Sequence, residues 1–325
     1  MDTLQTPPSP LDADPSPATP NLAPPGDLPP KEKQPHWVEF LRAANDTQIG
    51  ERLGKEIEEI ANKSLPNRAG FCLLGIYEPH EGIASWDATR IYAALQALNP
   101  NKDKDVLLLL ESNGGRIEAA YQISKICKQF AAERFVVVVP RAAKSAATLI
   151  TLGADQIHMG SLGELGPIDP QLGDLPALGV KRALETIASV CEQYPRSADA
   201  FAKYMSQRVT IEQIGYCERV AESAVQYAER LLSRKDFLKP EAHNIAFKLV
   251  YEYKHHGFVI DIDEAVATLG ERWVLGGTPE IRFAEEVNRR FDLINIFYGL
   301  AKGKQFVVSG SLTSDVVTRD KSDNA

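Results

Sequence analysis

The stretches VLLLLESNGG (residues 106–115) and FVVVVPRAAKSAATLI (residues 135–150) decide the fold. Each begins with five apolar residues in a row, which predicts a strand buried on both faces of a sheet. Each then passes through a short turn into a helical pattern, over residues 116–130 and 145–152. Continuous apolar strands that alternate with helices predict an α/β fold with a parallel sheet covered by helices.

The same alternation continues on both sides of this pair. The run FCLLGIY (71–77) predicts another strand, and Asp87 is expected to cap a helix that ends at Leu98. A short strand is expected at residues 156–159, and residues 181–255 have a mostly helical pattern. Further elements predicted towards the end are a short helix capped by Asp261, a helix over 279–301, a strand in QFVVSG (305–310) and a frayed polar end from Thr313.

Composition divides the chain into four segments. Residues 1–36 contain 11 of the 21 prolines and are predicted to be a disordered tail. N-terminal helices are expected at 37–69, the main α/β domain at 70–278 with a helical insertion at about 181–255, and a C-terminal helix and tail at 279–325.

Charge and hydropathy exclude several function classes. The 36 basic and 44 acidic residues give a net charge of −8 without a dense basic stripe, so nucleic acid is not an expected partner. No apolar run approaches the roughly 20 residues of a transmembrane segment, and the N-terminus lacks the pattern of a secretory signal, so a cytoplasmic protein is expected. No metal or other cofactor is implied, and four dispersed cysteines are interpreted as buried thiols: Cys72, Cys127, Cys191 and Cys217.

The two turns carry the residues that suggest chemistry. In a parallel sheet, the loops after the strands share one edge, where ligands bind. Gly114 and Gly115 expose backbone amides that can hold an oxyanion, or they only form a tight bend. Ser145 begins a helix, where the positive end of the helix dipole favours a serine nucleophile beside an oxyanion; a simple N-cap is the alternative.

The ordered set ESNGGRIEAA (111–120), PRAAKSAATLITLGADQIHMGSLGELGPIDPQ (140–171) and YEYKHHGFVIDIDEA (251–265) resembles the Clp/crotonase superfamily. Within it, the chain most resembles the serine dehydrogenase proteinases, which are related to Clp-type proteases and signal peptide peptidases. The resemblance spans about residues 70–275 and implies a Clp/crotonase-like core of repeated β-β-α and βαβ units with additional helical segments. It also implies a serine endopeptidase, acting on peptide or unfolded protein substrates within a homo-oligomer.

The same resemblance implies roles for residues of the two turns. Ser145 corresponds to the nucleophile, and Gly114, Gly115 and Ala146 supply the amides of an oxyanion hole. In such enzymes each backbone donor lowers the barrier by about 3 kcal/mol.

The general base is not in its usual place. Clp-type enzymes have a histidine in the segment that corresponds to residues 166–171, whereas this chain has an aspartate there. Signal peptide peptidases use a lysine further along the chain, and HHGFVIDIDEA (255–265) resembles the segment that supplies the Clp triad aspartate. The residues left open as base or as its partner are His256, Lys181, Lys203, Lys144 and Asp169.

Two other functions stay open at the level of sequence. In a crotonase-like enzyme the same amides would polarise a thioester and Glu164 would transfer the proton, but such enzymes need no nucleophile at Ser145. A non-catalytic oligomeric scaffold is the other alternative, because the standard histidine is missing. His158 lies in a strand pattern and is interpreted as a hydrogen-bonded core residue.

Overall fold

We describe the protein from a computed structural model, which covers residues 36–319 except 81, 173–174, 208–209 and 315. The Pro-rich tail was predicted for residues 1–36, and all of it except position 36 lies outside the described residues.

The strands are short and are separated by helices for most of the chain. They are β1 (Phe71–Glu78), β2 (Asp105–Ser112), β3 (Phe135–Val139), β4 (Ala142–Ala143), β5 (Gln156–Met159), β6 (Glu164–Leu165), β7 (Gln171–Leu172), β8 (Leu175–Pro176), β9 (Val274–Gly276), β10 (Gln305–Ser311) and β11 (Val316–Arg319). The helices are α1 (Trp37–Ala43), α2 (Asp46–Ser64), α3 (Ser85–Leu98), α4 (Ile117–Phe130), α5 (Ala146–Thr151), α6 (Ala177–Gln193), α7 (Ala198–Ser206), α8 (Ile211–Leu232), α9 (Ala242–Phe247), α10 (Ile262–Leu269) and α11 (Pro279–Lys302).

One main sheet organises the described part of the chain. Its strands lie in the order β11-β10-β1-β2-β3-β5-β9, and the short strands β4 and β6 extend it from the end of β2. The strands β1, β2, β3, β5 and β9 are parallel, whereas β10 and β11 are antiparallel to their neighbours. The predicted α/β class with a parallel sheet and additional helices is confirmed.

The leucine run of β2 is possible because helices cover both faces of the sheet. Leu108 and Leu110 belong to a core that includes residues of α3, α4 and α5. Leu107 and Leu109 point the other way, into a core that includes residues of α1, α2 and α11. Since strand side chains alternate between faces, a strand buried on both sides must be apolar throughout. Each of these leucines contributes roughly 2 kcal/mol by its burial.

Several predicted elements agree with the structure to within one or two residues. The runs FVVVV and 156–159 form β3 and β5 at the expected bounds, and the insertion is helical with breaks at Pro195–Ser197 and Lys239–Glu241. Asp261 caps α10 as predicted, since its Oδ1 accepts a hydrogen bond from the amide of Glu264 at 2.9 Å.

Asp87 caps α3 as predicted, because its Oδ2 accepts the amide of Ala84 at 2.7 Å, but it does so as the third residue of a helix that begins at Ser85. One local prediction was wrong. The polar end was expected to be frayed, but Val316–Arg319 forms a strand. Its backbone pairs with the outer edge of β10, a pairing that the side-chain pattern does not reveal.

The cysteine prediction is confirmed for two residues. Cys72 and Cys127 are free and buried, and burial raises the pKa of the Cys72 thiol to about 11. Cys191 is only partly buried, in α6, and the side chain of Cys217 lies outside the described residues. None of the described helices is both long enough and apolar enough to cross a lipid bilayer.

The sheet brings the two turns together. Strands β2 and β3 run parallel, so their following turns lie at one edge. Strand β4 then pairs with the end of β2 at Ser112 and Ala143, and the amide of Lys144 donates to the carbonyl of Ser112 at 3.0 Å. The turn before the serine helix is therefore fixed directly beside the glycine turn.

Candidate active site

Ser145 has an unusual backbone conformation. Its φ is 52° and its ψ is −119°, and its hydroxyl makes no capping hydrogen bond although it occupies the N-cap position of α5. The interpretation of Ser145 as a simple N-cap was therefore wrong. Its side chain is half-buried and projects from a sharp strand-to-helix turn, as nucleophilic serines do in other hydrolase folds.

This conformation stores strain. Among the described non-glycine residues, only Lys102 and Ser145 have a positive φ. The amide of Lys102 closes an ordinary turn by donating to the carbonyl of Asn99 at 3.1 Å. Ser145 has a ψ far from the left-handed helical region, and such strain costs roughly 1–3 kcal/mol and concentrates at functional sites.

Gly114 makes room for the serine. A Cβ at Gly114 would lie 2.7 Å from the Cβ of Ser145 and 3.2 Å from its Oγ, so a side chain there would displace the hydroxyl. Gly114 also has a φ of 128°, which L residues rarely adopt. Its amide donates to Oγ of Ser112 at 3.2 Å.

The amides of Gly115 and Ala146 have no hydrogen-bond acceptor among the described residues, although Ala146 as a whole is fully buried. Gly115 forms a parallel bridge to Ile83, but the bonds of that bridge use the carbonyl of Gly114 and the amide of Arg116. The amide of Gly115 therefore points away from Ile83, and within the described residues no hydrogen bond occupies it. Ala146 is the first residue of α5, where amides lack intrahelical acceptors.

Thr148 ties the serine helix to the loop after β6. Its Oγ1 is fully buried and lies 2.7 Å from the carbonyl oxygen of Ala143, and 2.8 Å and 3.0 Å from the carbonyl oxygen and amide nitrogen of Gly166. One hydroxyl can donate once and accept from the Gly166 amide at the same time. The loop that leads to Asp169 is thus anchored one helical turn beyond Ser145.

Asp169 and His256 form a close pair. Oδ1 of Asp169 lies 2.6 Å from Nδ1 of His256, and the aspartate side chain is 8% exposed against 30% for the imidazole. The loops that carry them are joined by the antiparallel bridge between Leu165 and Ile260. Because a carboxylate only accepts hydrogen bonds, Nδ1 is the donor, which leaves the lone pair of Nε2 as a proton acceptor.

The lysine candidates have different surroundings. Nζ of Lys144 forms an ion pair with Oε1 of Glu164 at 2.8 Å. The lysine next to Ser145 and the glutamate considered for thioester chemistry therefore bind each other. Lys203 is exposed in α7, whereas a lysine base needs burial. Lys181 lies in α6, but its side chain is outside the described residues.

His158 is a hydrogen-bonded core residue, as predicted. It is 3% exposed, and its Nδ1 lies 2.7 Å from Oγ1 of Thr278. Burial lowers the pKa of His158.

Glu111 is a site-adjacent residue that the sequence did not single out. It precedes Ser112 at the end of β2, and burial together with the Asp292 carboxylate raises its pKa to about 7. A hydrogen bond with the side chain of Asn288 and the charge of Arg141 lower the pKa of Glu111 and partly offset this rise. An acid at the end of an apolar strand run was the only sequence signal, and it does not show which helix covers it.

Part of the chain matches a known protein family. Residues 67–207 match the family of ClpP-like SDH-type serine proteinases. The resemblance recognised in the sequence is confirmed by this match, which contains Ser145, both glycines of the turn and Asp169. It covers less than half of the chain and ends before His256.

Similar sequences come from an archaeon. Two uncharacterized proteins of Methanocaldococcus jannaschii are 43% identical over 99 residues and 35% identical over 97 residues. Each alignment covers 30% of this chain, and they cover 34% and 32% of the two relatives. The chain thus matches about a third of the length of these relatives.

Similarity to solved structures is weak. The 1510-N membrane-bound stomatin-specific protease, in complex with a substrate peptide, is 14% identical with a TM-score of 0.40, over 77% of this chain and 86% of that chain. ClpP1 from Listeria monocytogenes is 14% identical with a TM-score of 0.39, over 70% and 99% of the chains.

Replacing Thr148 by Val is expected to lower the free energy of unfolding by about 2–3 kcal/mol, because the isosteric side chain leaves the buried groups of Ala143 and Gly166 unpaired. Thr148→Ser, which retains the hydroxyl, should lose less than half as much. Urea denaturation of both variants measures the difference. Equal losses would show that the methyl group, and not the hydrogen bonds, stabilises this region.

Glycine at position 145 should relieve the backbone strain. Ser145→Gly is expected to be more stable than Ser145→Ala by roughly 1 kcal/mol, because glycine adopts a positive φ without steric cost. The matched pair Ser206→Gly and Ser206→Ala, at an exposed helical position, should show the opposite order. Thermal unfolding of the four variants provides the comparison, and the same order at both positions would contradict stored strain at Ser145.

Glu111 should make stability fall as the pH rises. Its pKa is about 7 in the folded protein against 4.5 as the ordinary value, so between these values the folded state binds more protons. The resulting loss at pH 8, roughly 2–3 kcal/mol, should disappear in Glu111→Gln. Denaturation of wild type and of Glu111→Gln at pH 5 and pH 8 measures this loss of stability. Glu59→Gln, at an exposed position, is the control. An unchanged slope in Glu111→Gln would contradict this origin.

Proposed function

We propose that the protein is a serine peptidase that hydrolyses peptide bonds through an acyl-enzyme on Ser145. The observation that carries this proposal is the strained turn of Ser145, whose hydroxyl makes no helix cap and lies against Gly114. A strained conformation with no structural use is typical of a nucleophile. The match of residues 67–207 to a serine proteinase family supports the same chemistry.

We assign His256 as the general base. Its Nε2 accepts the hydroxyl proton of Ser145 while Oγ attacks the substrate carbonyl carbon. The amine then leaves with that proton, and an ester to Ser145 remains. A water molecule, deprotonated by the same nitrogen, attacks the ester, and the carboxylic acid product leaves as Ser145 regains its proton.

The negative oxygen of each tetrahedral intermediate is assigned to the amides of Gly115 and Ala146. Gly114 already donates to Ser112, and its role is to leave space for the serine. Two backbone donors of this kind stabilise the transition state by about 3 kcal/mol each.

Asp169 orients the base. Its hydrogen bond to Nδ1 keeps the imidazole in the tautomer whose Nε2 accepts a proton. Compared with the Clp pattern, the carboxylate and the imidazole have exchanged segments: the loop after β6 supplies the aspartate, and the segment before α10 supplies the histidine. The contact of 2.6 Å favours this pair over the exposed Lys203.

The resemblance to Clp-type proteases suggests a substrate class and an assembly. We propose extended peptides or unfolded proteins as substrates, cleaved internally, and a homo-oligomer as the active form. Tyr194 and Tyr204 are 65% and 56% exposed near and within the inserted helices, where a second copy of the chain would cover them.

The proposal is tested by mass spectrometry of the products from a library of unfolded peptides. Wild type should give products, and Ser145→Ala should give none at the same oligomeric state. His256→Gln should reduce kcat by about 10²–10⁴-fold because it removes the base. Asp169→Asn should also reduce kcat, by about 10²-fold or more, because it disturbs the tautomer.

The matched control is His243→Gln. His243 forms a similar pair with Glu229, with a distance of 3.0 Å between Nδ1 and Oε2, but it is exposed in α9. Its loss should leave kcat unchanged. Full activity of His256→Gln would refute the assignment of the base, and products from Ser145→Ala would refute the peptidase mechanism.

A further inference from the structure

A basic cavity lies at the other edge of the sheet. It has a volume of about 450 Å³ and is lined by Lys125, Lys128, Gln129, Gly153, Asp155, Arg234 and Lys235; we call it the lysine cavity. Asp155 precedes β5, and its Oδ2 accepts the amide of Phe135, the first residue of β3, at 2.7 Å. The cavity is therefore located where these strands begin, whereas Ser145 follows their carboxyl ends.

Charge in the lysine cavity is unbalanced. Asp155 is the only acid in its lining, and it forms an ion pair with Nζ of Lys128 at 2.7 Å. Among the described residues, no direct ion pair joins Lys125, Arg234 or Lys235 to this or another carboxylate. A cluster of this kind attracts anions with more than one negative charge.

Lys235 is the decisive residue of the cavity. It is only 9% exposed, and no hydrogen bond or ion pair joins its ammonium group to any of the described residues. Its Nζ lies 4.7 Å from the ring centroid of the buried Trp273, which holds the side chain in place. Desolvation by burial lowers the pKa of Lys235 to about 8; the Asp155 carboxylate raises this pKa, whereas the charges of Lys128 and Arg234 lower it further. A mostly buried lysine side chain that makes no direct ion pair loses part of its hydration without a full replacement, and an anion bound in the cavity would supply one.

We propose that the lysine cavity is a binding site for a small phosphate-bearing molecule. A phosphate ester carries about two negative charges and three acceptor oxygens, which suits the three cations that lack a lining acid. Ammonium groups bind phosphate as point charges, and the guanidinium of Arg234 can bind two oxygens at once. The volume of the cavity lies within the range of about 300–1,000 Å³ typical of small-molecule sites, so it can hold part of an organic group besides the phosphate.

The site is independent of the proposed peptidase chemistry, because none of its lining residues belongs to the serine, the amides or the Asp169–His256 pair. Binding is therefore measured directly and does not depend on activity. The probe is pyrophosphate, titrated into the full-length protein by isothermal calorimetry at constant ionic strength. A phosphate monoester and inorganic phosphate are compared with it, and citrate serves as the non-phosphate anion.

Wild type should bind pyrophosphate with a saturable heat, and Lys235→Met should weaken that binding at least about tenfold, because one charge-assisted contact is lost. Removing an unpaired buried charge leaves the fold intact. Arg234→Gln, at an exposed position, should also weaken binding, whereas Lys55→Met, an exposed lysine in α2, should not. In wild type the affinity should fall as the pH rises above about 8, where Lys235 loses its proton.

Several results would overturn the proposal. The first such result is that neither pyrophosphate nor the phosphate monoester binds saturably at millimolar concentration. Equal affinities for Lys235→Met and Lys55→Met would show that binding is a non-specific charge effect. Equal binding of citrate would show an anion site without preference for phosphate.

Discussion

The backbone of Ser145, at φ 52° and ψ −119°, is the constraint on which the candidate site depends. In this conformation the chain leaves β4 and enters α5 without placing the serine hydroxyl on a helix amide. The strain persists because the surroundings determine the turn from both sides. Strand β4 is paired to β2 at Ser112, and Thr148 fixes the helix start against Ala143 and Gly166. The strain at one residue is therefore balanced by the packing of a whole sheet edge.

The same tie at Thr148 connects the nucleophile to the remaining residues of the site. Gly166 is anchored to the serine helix, and three residues later the chain reaches Asp169, which holds His256. The bridge between Leu165 and Ile260 closes this arrangement across the sheet edge. Under the proposed mechanism these backbone contacts would position the Asp169–His256 pair relative to the serine helix.

Much of this could be predicted from the sequence, for physical reasons. The apolar runs of β2 and β3 have only one stable place, inside a sheet covered on both faces, and the glycine turn and Ser145 follow from that placement. The pairing of Asp169 with His256 could not be predicted, because 87 residues separate them and the contact depends on strand register. The strand at Val316–Arg319 was missed for a related reason, since backbone pairing at a sheet edge leaves little trace in side-chain pattern. Lys235 gave no signal at all, because a lysine that follows an arginine in the bend after a helix does not reveal its burial.

Activation of Ser145 as a nucleophile can be measured with an organophosphorus reagent that forms a covalent bond with activated serines. The labelled protein would be digested and the modified residue mapped by mass spectrometry. We expect a single adduct on Ser145, and we expect it to form far more slowly in His256→Gln. An adduct at another serine, or a folded and assembled protein that remains unmodified, would contradict it.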